Sequence, residues 1–340
     1  MTIMSSLIVD DLNNKGIPAL RFAAGMPLAT ARWLLAGITA TAPVHARANE
    51  NGGLAILPGN FASFEATPRE PGLTLPQIYY HTSAWSDNTE QVLSAKGKPV
   101  TVRIKSNINE FYFIFAPNYT FTDKVLGAQA NVELAGFFGH SNNFLTAETA
   151  SGSTPNTTRV NGQGDMSLAF SLRWNAGVHN FMTYIQPYAP IGDYQQGRQM
   201  DIGGQNWALD GGGGYTYFDP RTGWELSATL GAIYNFENPE TGYHSGVDLH
   251  LSWGSGHMFL HDSLFVGVAG YFTNQITSDT LAGNPVPHSN TRAIALGPQA
   301  QYGFKLFSKQ AYLLFRSYGG ISTQNKPIGF ENFLILSISL

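Results

Sequence analysis

The feature that most constrains this chain is a two-residue alternation of apolar and polar side chains, repeated segment after segment from Gly72 to Leu340. The stretch 165–174 shows it clearly. Met166, Leu168, Phe170, Leu172 and Trp174 share one face, and Asp165, Ser167, Ala169, Ser171 and Arg173 share the other. Successive side chains of an extended strand point to opposite faces, whereas a helix would place its apolar residues three and four apart. Ten residues rising ~3.3 Å each, tilted by ~40°, cover a hydrocarbon band of ~25 Å. No apolar run of the ~20 residues that a membrane helix needs follows the first fifty.

The same sidedness places Trp224, Leu226, Ala228, Leu230, Ala232 and Tyr234 opposite Glu225, Ser227, Thr229 and Asn235. It sets Tyr243, Val247, Leu249, Leu251 and Trp253 against His244, Asp248, His250 and Ser252, and the last strand puts Leu334, Leu336, Ile338 and Leu340 on one side. Strands are expected at 72–84, 99–118, 127–140, 165–174, 178–188, 206–218, 223–236, 243–255, 264–274, 291–307, 310–322 and 330–340. That is about twelve, with ten or fourteen as alternatives because 99–118 is long enough to divide. Thr122-Asp123-Lys124, 176–178, 219–223 and 307–309 read as short periplasmic turns, and 141–163, 189–205 and 275–290 as longer external loops. An even count leaves both barrel ends in the periplasm.

Composition decides what such strands enclose. Only 12% of residues are charged, about half the ~25% of a soluble globular domain. Aromatics reach 13%, glycine 37 residues, and the mean hydropathy is −0.11. A soluble sandwich or jelly roll is the rival, but few charges and many aromatics favour a transmembrane β-barrel, lipid on one face and a wetter lumen on the other. The fold class is therefore all-β, a single antiparallel transmembrane barrel. Cysteine is absent, which removes thiol chemistry and cysteine metal clusters, and a closed barrel needs no disulfide because it has no edge. The net charge of −4 argues against a nucleic-acid partner.

Residues 1–48 are expected to be removed. An apolar stretch, 33–42, follows Arg32 and is too short to span a bilayer, and Val44-His45-Ala46 and Ala46-Arg47-Ala48 offer small residues at peptidase spacing. Asp10 and Asp11 do not suit the start of a signal peptide, so Met26 is the expected true start. Residues 49–71, rich in glycine and proline, do not read as a strand; a periplasmic lead-in and a small plug are equally open. The barrel proper is 72–340.

Several spaced motifs resemble one known outer-membrane family: Gly164-Asp165 opening a strand, Pro190-Ile191-Gly192-Asp193-Tyr194, the segment 238–246, and Gly297-Pro298 followed by Tyr302-Gly303. This family is labelled meta-pathway phenol-degradation transporters, a distant relative of the long-chain fatty-acid channels, and the resemblance covers about 72–340. It implies a monomeric barrel in the outer membrane of a Gram-negative bacterium, among lipid and lipopolysaccharide, taking up small hydrophobic or aromatic solutes. It carries over no catalytic residue. The usual terminal aromatic of such barrels is replaced by Leu340.

Candidate lumen residues lie opposite the lipid face: Glu133, Asp165, Arg173, Gln186, Glu225, Asp248, His250, Gln299, Gln301 and Lys305. Both charge signs occur, so pairing across the lumen is expected, Arg173 with Asp165 or Glu225 being one choice. A small barrel is often filled by its own side chains, and solute would then need movement of 49–71 or a gap between strands. Pro117, Pro187 and Pro298 mark such gaps, since proline removes a ladder bond. Two rivals to a channel are weighed. A lipid hydrolase would use His140-Ser141-Asn142 or His288-Ser289-Asn290, but neighbours in a strand point apart and coincidence is far better supported. A purely structural barrel is the other. Gly211–Gly214 follows no strand-to-helix switch and is no phosphate cradle. His244 and His250, six apart, are too weak a pattern for a metal site, and no cofactor is expected.

Overall fold

The structure is a computed structural model that describes residues 50, 57–93, 99–259 and 263–340; the expected signal peptide and the Met26 start lie outside the described residues. Two compact units are distinguished, residues 1–42 with 92–100, and residues 43–91 with 101–340. The barrel belongs to the second.

Its strands are β1 (Gly72–Leu93), β2 (Pro99–Phe115), β3 (Asn118–Val125), β4 (Ala128–Thr149), β5 (Gly152–Gln163), β6 (Met166–Ala176), β7 (His179–Ala189), β8 (Ala208–Asp219) and β9 (Trp224–Asn235). There follow β10 (Tyr243–His244), β11 (Asp248–Phe259), β12 (Leu264–Gln275), β13 (Thr280–Leu281), β14 (Asn284–Pro285), β15 (Arg292–Leu306), β16 (Lys309–Gln324) and β17 (Ile328–Ser339). Each main strand pairs antiparallel with its neighbours, and β17 pairs with β1 from Thr74↔Ser339 to Trp85↔Ile328, which closes the sheet. Two crossings are made in pieces: β2 continues into β3 past Pro117, and β5 into β6 past Gly164-Asp165. Counted as crossings, the walls number twelve. Short β10, β13 and β14 form a separate three-stranded patch.

The alternation sets which face turns out. Leu226 and Leu230 are 50% and 58% exposed, while Glu225, Ser227 and Thr229 on the opposite face are at most 1% exposed. A soluble protein would invert this. Apolar outside and polar inside is the arrangement of a barrel solvated by lipid. Aromatic side chains gather at both rims, where an amphipathic ring is favoured. Trp224 meets His257 edge to face, with Phe259 tilted against His257, at the rim that holds Gly72 and Leu340, and Tyr234 meets Phe236 and His244 edge to face at the opposite, loop-bearing rim.

The structure corrects three expected boundaries. Residues 141–163 are not a loop: β4 and β5 run on as a hairpin, paired from Phe138↔Gln163 to Thr149↔Gly152. Polar residues there mark strand standing beyond the apolar band. Thr122-Asp123-Lys124 is not a turn but the stretch where the β3–β4 register shifts, and the chain reverses at Leu126-Gly127, both at positive φ. Tyr243 belongs to the small patch, and the ladder of β11 starts only at Asp248.

Candidate functional site

The lumen is where polar side chains converge, and residues 57–71 lie inside it. Those residues have turns rather than strand, so their backbone groups need partners, and the barrel wall supplies them. Arg316 donates to the carbonyls of Gly59 and Asn60 at 2.8 and 3.0 Å, and Tyr318 donates its hydroxyl to Gly59 at 2.9 Å. Glu225 accepts from Ser63 Oγ and from the Phe64 amide, and Gln299 donates to Ser63 at 2.7 Å. The Ala66 amide donates to Thr216 Oγ1, Arg173 to the Glu65 carbonyl, and Arg69 and Gln129 exchange two bonds. The partners come from β4, β6, β8, β9, β15 and β16, so the segment is held from several sides. Gly59 is required where it sits: its φ is 73°, and a Cβ there would stand 2.6 Å from the Tyr318 ring. At the loop-bearing end, Glu50 accepts from Asn238 and Thr241 at 2.7 and 2.8 Å.

Among the ten sequence candidates, Arg173, Glu225 and Gln299 touch this segment directly. Arg173 is buried and reaches Glu65 and Ser171, and the expected partners are both engaged elsewhere. Glu225 goes to Ser63 and Phe64. Asp165 is spent on the loop between β7 and β8, accepting from the amides of Gly192 and Gly204 at 2.8 Å each. That loop turns inward: Met200 and Ile202 are buried, and the Met200 sulfur lies 3.0 Å from Ser141 Oγ of the lumen wall. The backbone of Gly203 lies so close to Gly192 that a Cβ on either would stand 2.6 Å from the other.

His250 and Asp248 face the lumen from β11. His250 Nε2 lies 3.0 Å from Asp210 Oδ1 and 3.3 Å from the Tyr184 hydroxyl, which itself donates to Asp210. Gly231 makes room for this cluster, since a Cβ would stand 2.2 Å from Tyr184 Oη. His244, in contrast, packs on Tyr234 at the rim, so the two histidines do not share a site. Gln186 donates to Ser167, and Glu133 is half-buried opposite Asn118. Gln301 is half-buried and Lys305 exposed near the chain-terminal rim. A cavity of 490 Å³ opens at that rim, bordered by Thr67, Pro68, Arg173, Asn180 and Phe218.

Sequence reasoning chose only polar lumen residues and missed an aromatic wall. Rings run in series around one side: Phe137 to Tyr112 at 5.2 Å, Tyr112 to Tyr80 at 6.0 Å and parallel, Tyr80 to Phe333 at 4.9 Å, Phe333 to Tyr318 at 6.1 Å, Tyr318 to Tyr271 at 5.3 Å. Five of the six are buried, facing inward from β1, β2, β12, β16 and β17, and Leu57 and Ala62 pack against the group. The signal was there. In Tyr79-Tyr80 and Phe111-Tyr112-Phe113, consecutive aromatics cannot all face lipid, so one must point inward. Both hydrolase triplets come apart: His140 bonds Asn161 while Ser141, on the other face, donates to Glu110, and Ser289 accepts from the Asp279 amide.

Among solved structures, the chain is similar to the COG4313 outer membrane channel from Pseudomonas putida F1, at 15% identity and a TM-score of 0.61, covering 82% of this chain and 98% of that one. Looser likenesses are to the transport unit of the autotransporter AIDA-I from Escherichia coli (12%, TM-score 0.41, 81% and 92% covered) and to OccK10 (OpdN) from Pseudomonas aeruginosa (9%, TM-score 0.31, 80% and 98% covered). Only the first bears on the fold. No curated protein sequence matches the chain. A family model described as "Putative MetA-pathway of phenol degradation" matches residues 88–333, most of the barrel. The residues that carried the resemblance, from Gly164-Asp165 to Tyr302-Gly303, all fall inside that match, and the chain belongs to this family.

Proposed function

We propose that the protein is a passive channel of the outer membrane for small hydrophobic or aromatic compounds. The observation that carries this reading is the aromatic wall. A barrel that only spanned the membrane would fill its lumen with paired polar groups, whereas this one presents a continuous surface of rings, with hydroxyls at their edges, against a removable stretch of chain. Rings stack on rings in offset or edge-on geometry, and each such contact contributes roughly 0.5–1.5 kcal/mol. Residues 57–71 act as a plug. They are tied by hydrogen bonds, each worth only about 1 kcal/mol net, so shifting part of the segment breaks few of them at a time. The mature chain enters the periplasm by a cleaved signal peptide and works as a monomer, with Gly72 and Leu340 at the periplasmic rim and the β4–β5 hairpin outside. No chemistry is performed on the solute.

A structural barrel without transport is the second reading, and the filled lumen favours it. Uptake separates the two. Gram-negative cells producing the protein are expected to take up labelled aromatic solutes faster than cells without it, with sugars unaffected. Equal rates for every solute, with an altered envelope, would leave the structural reading.

A further inference from the structure

The plug meets the aromatic wall with a peptide group rather than a side chain. Gly59 has no Cβ, and one built there would stand 2.6 Å from the Tyr318 ring and 2.9 Å from the Tyr271 ring. Its backbone therefore lies against two rings that meet edge to face at 5.3 Å. The carbonyls of Gly59 and Asn60 converge on one guanidinium. Arg316 Nη1 donates to both, at 2.8 and 3.0 Å, and the Tyr318 hydroxyl donates to Gly59 as well. Arg316 is 3% exposed and pairs across from Phe333, and its Nε–H is buried with no acceptor. The guanidinium thus carries one more donor here than the plug satisfies. Opposite charge is not what it lacks. Glu225 is close enough to act electrostatically on Arg316, and Glu331, on which Lys326 also acts, does so on Tyr318. With the plug aside, what this part of the lumen wants is acceptor oxygen.

A solute that displaces Gly59 and Asn60 must supply what they supply. A protonated amine would bring a cation against Arg316 and no acceptor. A hydrocarbon would suit the rings but leave a buried guanidinium and hydroxyl unpaired, which is costly. A carboxylate would satisfy Arg316 but add like charge near Glu225 and Glu331. A neutral aromatic carbonyl compound brings the acceptor without the charge, and its flat ring suits the faces and edges of Tyr271, Tyr318 and Phe333. We infer that Arg316 and Tyr318, with the rings of Tyr271 and Phe333, form a binding station for neutral aromatic solutes bearing a carbonyl oxygen, and that Gly59 and Asn60 occupy it as a built-in substitute for such a solute. The inference rests on the channel reading and narrows its solute. Solute and plug compete for the same donors.

The test uses three ring-matched probes, benzamide (neutral, with a carbonyl), benzoate and benzylamine (protonated at neutral pH), titrated calorimetrically into the whole barrel with its plug in detergent. Benzamide is expected to bind about tenfold more tightly than the other two. It is also expected to raise hydrogen exchange over residues 57–62, where the plug gives way. Arg316→Met is expected to remove the preference, and Tyr318→Phe, which keeps the ring, to reduce it about threefold. Either change also loosens the plug, so the ratio between probes is the readout. Where Arg316→Met fails to give a folded barrel, Tyr318→Phe and the wild-type ranking decide. Equal affinities, a tighter benzoate or benzylamine, or benzamide binding with unchanged exchange over 57–62 overturn the inference. Uptake of the same probes by cells keeps the two readings apart. A barrel that binds benzamide in this way but passes none of the probes loses only the channel. One that binds and passes all three without preference loses only the carbonyl station.

Discussion

Glu225 shows how much one lumen residue decides. It is 1% exposed and holds the Phe64 amide and the Ser63 hydroxyl. Replacing it with alanine leaves the Phe64 amide only its bond to Ser227 Oγ at 3.0 Å and takes the acceptor from the Ser63 and Ser227 hydroxyls, which costs about 1–3 kcal/mol. Glu225→Ala is expected to leave the barrel folded but to raise hydrogen exchange at the Phe64 amide by about tenfold or more; unchanged exchange would show that the plug does not depend on this anchor. Glu50 gives a pH dependence. Its burial pushes the carboxyl above the usual glutamate range, against the lowering effect of Thr241 and Asn238. A raised folded value means that the folded state binds the proton more tightly. The latch is therefore strongest below the unfolded value and weakens as pH rises through the folded one. Limited proteolysis of the 50–71 segment should accelerate as pH rises through that range, and Glu50→Gln should flatten the profile. At this scale the sequence told which side a residue takes but not its partner. Glu225 was legible as inward-facing from its place between Trp224 and Leu226, whereas its bonds to residues 161 and more positions away were not.

Among the elements, the plug and the seams matter most. Ala66 and Thr216 are both fully buried and touch through a hydrogen bond of 3.2 Å. Cysteines at these two positions, oxidised to a disulfide, should hold the plug in place and abolish aromatic uptake, with recovery on reduction; undiminished uptake in the oxidised form would mean that solute does not need the plug to move. Pro298 and Pro187 each sit where ladder pairs are missing, between Leu296↔Gly319 and Gln299↔Arg316 and between Ser167↔Tyr188 and Phe170↔Ile185. The Pro298 seam carries a further feature on its outer face. Ser317 donates to Asn332 at 2.8 Å, and His81 follows at 3.5 Å, a polar row set between Leu334 and Phe315 on one side and Phe330 and Trp85 on the other. Polar groups facing lipid are costly and tend to mark a path. Stapling this seam with Pro298→Cys and Ser317→Cys is expected to slow uptake if solute leaves sideways, and unchanged uptake dismisses a lateral exit. Proline positions were readable in the sequence. The row of Ser317, Asn332 and His81 was not, because it exists only once β16, β17 and β1 are in register.

For the whole molecule, closure is the property with consequences. The β17–β1 pairing leaves no edge, so the barrel should resist detergent and migrate faster unheated than boiled on a gel, and a single migration position under both conditions would count against a closed barrel. The twelve crossings expected from alternation are those found, including the long 99–118 segment, which is divided at Pro117 yet makes one wall. Where the expectation failed, at 141–163 and at 122–124, the reason was local polarity. A strand that leaves the apolar band loses its alternation, so by sequence it looks like a loop, and a strand with a register shift looks like a turn.

What the sequence determined by itself is the period. Two-residue sidedness commits each segment to an extended conformation with one apolar face, because that depends only on neighbours along the chain, and the scarcity of charge favours lipid over a soluble core as what that face meets. The tertiary structure alone decided what fills the enclosed space. The aromatic wall and the seat of residues 57–71 are made by side chains that lie up to hundreds of positions apart, and they meet only when Ser339 pairs with Thr74 and the sheet becomes a cylinder.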